Sequence, residues 1–146
     1  MLAKYYRLRM QWVADQTLTY NNAARIAIRM LPWKLLAGVL TYGTVVTEDL
    51  GFGSGETIVT TGEVEQATPT DNTSDLYWGV KGYFQMTADV DSTDGAAYLF
   101  LEESDDNTNW PSDQADFDCD IDLRLIAVLA FSTDAEDESR GTNFEF

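Results

Sequence analysis

Between Phe117 and Leu125 every second residue is apolar, in the series Phe117, Cys119, Ile121, Leu123 and Leu125, with Asp118, Asp120, Asp122 and Arg124 between them. A spacing of two places the apolar side chains on one face of an extended strand and the charges on the other. Ile126 to Phe131 is then apolar throughout, the pattern of a strand end buried on both faces. The same alternation sets Tyr6, Leu8, Met10 and Trp12 against Arg7, Arg9 and Gln11, and Tyr98, Phe100 and Glu102 against Leu99 and Leu101. Further strand-like segments cover residues 36–46, 57–64 and 76–89, with a last edge strand over 143–146 and an acidic loop over 133–139. Turn residues such as Asp91 to Gly95 and Ser104 to Asn109 punctuate them. The chain is therefore expected to be mainly β, an antiparallel β-sandwich or jelly roll, with Phe117, Ile121, Leu123, Leu125, Val128 and Leu129 in its core.

Charge divides the chain. Residues 1–40 hold six basic residues and one acidic, 6 − 1 = +5, while 41–146 hold three basic and 24 acidic, 3 − 24 = −21, for the total of −16. The glycine-rich stretch Gly51 to Gly55 lies near the change. Residues 1–46 are read as a basic, aromatic-rich N-terminal arm or as first strands, and 47–146 as an acidic β-sandwich domain. Aromatic residues and arginine are enriched at interfaces. Tyr6, Arg7, Arg9, Trp12, Arg25, Arg29 and Trp33 are accordingly expected at a subunit contact, the arm docking on the acidic body of a neighbour. The alternative is that the arm supplies strands of its own sandwich. Residues 23–31 fit helix and strand equally, and Pro32 is expected to end that element or to begin the next.

The acidic block repels phosphate and argues against nucleic acid as a partner. The apolar run from Leu35 to Val46 is interrupted by glycine and threonine, so no membrane span is expected. There is no histidine and a single cysteine, Cys119, which removes Ser-His and Cys-His catalysis and the usual zinc sites. No phosphate-binding glycine motif is present, and no enzyme activity or cofactor is expected. Asp116, Asp118, Asp120 and Asp122 would share one face of a strand. Such a row reads as a solvated or partner-facing face, with Asp116, Asp118 and Asp120 the candidate ligands should calcium bind. Trp110, with Asp105 and Asn107, is the candidate glycan contact, since aromatic rings stack on sugars while turn residues bond hydroxyls.

The segment from Ala97 to Pro111, reading AYLFLEESDDNTNWP, resembles the strand, turn and Trp-Pro pattern of small β-sandwich structural proteins from tailed bacteriophage virions. Ile121 to Phe131 is similar to the next core strand of those proteins, and the resemblance spans about residues 74–133. It implies a non-enzymatic virion protein of the tail, collar, adsorption apparatus or capsid decoration. Its partners would be other copies of itself and other virion proteins. The alternative function is a carbohydrate-binding jelly-roll module recognising host surface glycans.

Overall fold

The computed structural model describes residues 2–14, 18–19, 26–48, 50, 57–58, 61–90, 95–131 and 135–146. Its strands are β1 (Tyr5–Ala14), β2 (Leu18–Thr19), β3 (Ile26–Leu36), β4 (Val39–Tyr42), β5 (Val46–Glu48), β6 (Thr57–Ile58), β7 (Thr61–Glu65), β8 (Thr70–Asp71), β9 (Gly79–Val90), β10 (Gly95–Ser104), β11 (Arg124–Phe131) and β12 (Ala135–Glu145). A 3₁₀ turn at Pro111–Asp113 and a one-turn helix α1 (Cys119–Asp122) lie between β10 and β11. Every pairing among the described residues is antiparallel.

Two sheets pack face to face as a β-sandwich. The first runs β11-β10-β1-β7, with β8 beside the start of β1. In the second, β3 pairs with β9 on one side and with β4 and β5 on the other. There β12 pairs with β9, and β2, paired to β6, meets β9 at Thr19. Apolar residues at alternate positions from both sheets fill the space between: Tyr6, Leu8, Met10, Trp12, Leu99, Leu101 and Leu129 from the first, and Ile28, Met30, Val80, Phe84, Met86 and Phe144 from the second. Burial of this kind of surface, at roughly 25 cal/mol per Å², is the main force holding the layers together. Gly82 sits opposite Phe144, and the Phe144 ring occupies the space where a Cβ would stand, so the two strands close up without a gap.

The first residues of the chain supply a strand of its own sandwich. β1 lies between β10 and β7, and Tyr6 and Trp12, expected at a subunit interface, are buried in the core of their own chain. The period-two pattern explains it, since a strand with one fully apolar face gains most by closing its own sandwich. Residues 26–31 resolve as strand, and β3 continues through Pro32 instead of stopping. Pro32 O accepts a hydrogen bond from the Gly43 N–H over 2.9 Å, so the missing proline N–H falls at the Gly43–Val45 break between β4 and β5.

The expected strand from Phe117 differs most. Residues Cys119–Asp122 are helical and β11 begins only at Arg124. Cys119 and Leu123 are four apart, so helical spacing also aligns them, and both pack on Phe100 against the outer face of the first sheet. Leu123 and Leu129 are buried, as expected, and Phe117 is partly buried against that outer cluster. Leu125 and Val128 face outward, 49% and 41% exposed: Val128 alternates with the buried Leu129, and the one-residue register shift between Leu99 and Phe100 turns Leu125 to the same side instead of leaving it on the face of Ala127 and Leu129. The side chain of Ile121 lies outside the described residues. The segment expected as an acidic loop forms β12 from Ala135 onward. Asp91 to Asp94 lie outside the described residues, and the strands they join, β9 and β10, belong to different sheets and so make no hairpin.

Candidate functional site

On the outer face of the first sheet, β1 presents Arg7 and Arg9, and β10 presents Glu102, which has no exposed surface. Arg7 Nε donates to Glu102 Oε2 over 2.6 Å. The Ser112 N–H donates to Glu102 Oε1 over 2.8 Å, and an Arg7 guanidinium nitrogen donates to Ser112 Oγ over 2.8 Å. Arg9 lies 3.8 Å from Glu102, pairs with Glu63 over 3.1 Å and pairs closely with Glu65. Above these groups, the Arg7 guanidinium stacks 4.4 Å from the Trp110 ring centre and Arg9 lies 5.2 Å from that of Phe117.

Burial pushes the Glu102 carboxyl up, but hydrogen bonds from Arg7 and from the Ser112 side chain and backbone, with the charge of Arg7, outweigh it and hold the group below its ordinary range. Both carboxylate oxygens are engaged, so Glu102 is an anchor and not a free base. It ties residues 105–123 down over the sheet and fixes the β1–β10 register.

The residues expected to bind ligands are placed differently. Trp110 is buried, 6% exposed, with Arg7 stacked on its ring, so it is closed to a sugar, while Asp105 and Asn107 are exposed in the preceding turn. That turn is internally satisfied. Asp106 accepts the backbone N–H groups of Thr108 and Asn109, each over 2.9 Å, and these bonds hold its carboxyl well below the usual range. Asp116 and Asp118 are exposed and share no strand face, because the chain turns into α1 there, and the Asp118 N–H donates to Asp122 over 2.8 Å. The Asp120 side chain lies outside the described residues. Among the described residues no group of three acidic, histidine or cysteine side chains is placed to hold a metal. Arg25 lies outside the described residues, Arg29 is exposed on β3 opposite Tyr83, and Trp33 is half-buried across Gly79.

A different feature stands out on the second sheet. β3 and β4 form a hairpin whose turn, Ala37 and Gly38, has φ of 51° and 81°, the positive values of a tight two-residue turn. Its side chains are apolar and open to solvent: Leu36 is 62% exposed and Val39 65%, with Leu35, Leu40, Tyr42, Val45 and Val46 also exposed. Leu76 and Trp78 continue the patch from the adjoining loop. That loop braces the hairpin base through a 2.8 Å hydrogen bond from the Trp78 N–H to Trp33 O and by Lys34, which donates to Asp75 O over 2.5 Å. Residues 35–47 are thirteen consecutive positions without a charge in a chain of net charge −16. That run is the signal in the sequence that marks the surface.

Comparison of the chain with family models, with curated proteins and with solved structures gives no match.

Proposed function

We propose that the chain is a non-enzymatic structural module that works by protein–protein assembly, in the virion of a tailed bacteriophage. The observation that carries the reading is the apolar, charge-free hairpin standing on an acidic sandwich. Contiguous exposed apolar surface marks a docking site, because leaving it in water costs free energy that a partner recovers. A net charge of −16 keeps chains apart elsewhere and directs contact to the neutral face. The buried Arg7–Glu102 frame supports the same reading, since its polar groups are spent on holding one register and one covering loop. The virion setting comes from the resemblance of Ala97 to Pro111 to tailed-phage sandwich proteins. Trp110, the aromatic that a glycan module would use, is buried against Arg7, so the carbohydrate reading loses its main contact.

The test is quantitative mass spectrometry of gradient-purified particles produced from the genome that encodes the chain. A fixed copy number relative to the major capsid protein supports the proposal. A chain abundant in the lysate and absent from particles overturns it.

A further inference from the structure

We propose that two copies of the chain pair edge to edge through β4, antiparallel about Thr41, so that their second sheets join into one continuous sheet. The inference rests on the assembly reading above and names the partner as a second copy.

The backbone geometry defines the chemistry that the edge accepts. The Gly43 N–H bonds to Pro32 O, and Val39 and Thr41 stand opposite Leu36 and Lys34. Alternation along an antiparallel ladder therefore turns the N–H and C=O groups of Val39 and Thr41 toward β3, and those of Leu40 and Tyr42 away from it. Among the described residues no strand pairs with that outer side. A row of outward backbone donors and acceptors recognises another extended strand.

Charge selects which strand. Residues 26–47 carry Arg29 and Lys34 and no acid, +2, which leaves −16 − 2 = −18 on the rest of the chain. A basic partner would be held by that remainder, not by an edge that has no carboxylate to offer. A second copy approaching through the acidic surface sets carboxylates against carboxylates, whereas at residues 35–47, the longest uncharged run in the sequence, neither copy brings a charge. Edge strands of monomers are usually guarded by charge or proline. β12, on the other flank of the same sheet, carries Glu136, Asp137, Glu138 and Glu145, whereas β4 carries Val39, Leu40, Thr41 and Tyr42. With Thr41 on the two-fold axis, Leu40 lies beside Tyr42 of the partner subunit and the reverse, a self-complementary contact that closes at two copies.

The experiment is native mass spectrometry with sedimentation of the full chain over a concentration series. The 16.3 kDa chain is expected to form a dimer whose association strengthens as salt screens the acidic bodies. Leu40→Glu and Tyr42→Pro should each weaken association by about tenfold or more. Circular dichroism should be unchanged in Leu40→Glu, which alters only an exposed side chain. Facing residues of a non-hydrogen-bonded pair stand about 4.5 Å apart, close enough for a disulfide, so Thr41→Cys should cross-link under oxidation. Thr44→Cys, off the axis, should not. A monomer at every concentration with no Thr41→Cys cross-link overturns the pairing, and so does a dimer indifferent to both Leu40→Glu and Tyr42→Pro. A monomer that is nonetheless present in particles at fixed copy number overturns the pairing alone and leaves the assembly reading standing.

Discussion

Arg7 and Glu102 stand directly opposite each other in the β1–β10 register, joined by a 2.6 Å hydrogen bond on a glutamate with no exposed surface. Slipping β1 by one residue would carry Arg7 and Arg9 into the apolar core and Leu8 and Met10 out of it. The pair is therefore best understood as a register lock. Desolvation offsets much of its attraction, so its value lies in excluding other alignments more than in net stability.

Removing the buried partner of such a pair strips the other charge of most of its compensation. Glu102→Ala is expected to destabilise the fold by about 3 kcal/mol in urea titration, because Arg7 is left with only the half-exposed Glu65, 3.3 Å away, and Arg9 loses a nearby negative charge. A cost below about 1 kcal/mol, the range of an exposed pair, would place the cluster in water.

The same glutamate sets an acid limit. Its folded carboxyl is held below the ordinary range, so its contribution is fully present above the unfolded value of about 4.3 and is lost as pH falls through the lower folded value. The melting temperature should therefore fall on acidification below about pH 4.3, and more steeply than in Glu102→Gln, which has no proton to take up there. Equal slopes for the two proteins would remove Glu102 as the titrating group.

Leu8 and Leu125 separate the two faces of the first sheet. Leu8→Ala should cost about 2–5 kcal/mol, as it opens a cavity between the sheets. Leu125→Ala should cost no more than about 0.5 kcal/mol, since nearly half of that side chain is already in water. Equal costs would contradict the β10–β11 register.

The hairpin turn stores local strain. Ala37 adopts φ of 51°, which costs an L-residue with a Cβ roughly 1–2 kcal/mol. Ala37→Asn creates the Asn-Gly pair that this turn type prefers, and should raise stability by about 1 kcal/mol in thermal unfolding. A loss of stability would mean that the turn is of another kind.

These residues also show what a linear reading reaches. The alternation in β1 was legible, and so was the mainly β sandwich, because period two is a local property. The ion pairs were not, since Arg7 and Glu102 are 95 positions apart and Arg9 finds Glu63 and Glu65 across a different strand pairing. A basic block beside an acidic block therefore looked like two separate surfaces, when folding brings them together. Residues 118–122 misled for the opposite reason: alternation of aspartate with apolar residues suits a strand, yet Asp118 and Asp122 bond across a helical turn. The uncharged run at 35–47 was visible, but its exposure depends on the hairpin projecting past the sheet, which no local pattern encodes.

Hydrogen exchange followed amide by amide across a protein concentration series tests most directly the division between a self-contained sandwich and an outward-facing hairpin. The amides of Leu8 to Trp12 are expected to be strongly protected at every concentration, since β1 is paired on both sides within its own chain. Those of Leu40 and Tyr42 are expected to gain protection only as concentration rises. Protection of β1 that appears only at high concentration, with the Leu40 and Tyr42 amides unchanged throughout, would contradict both assignments.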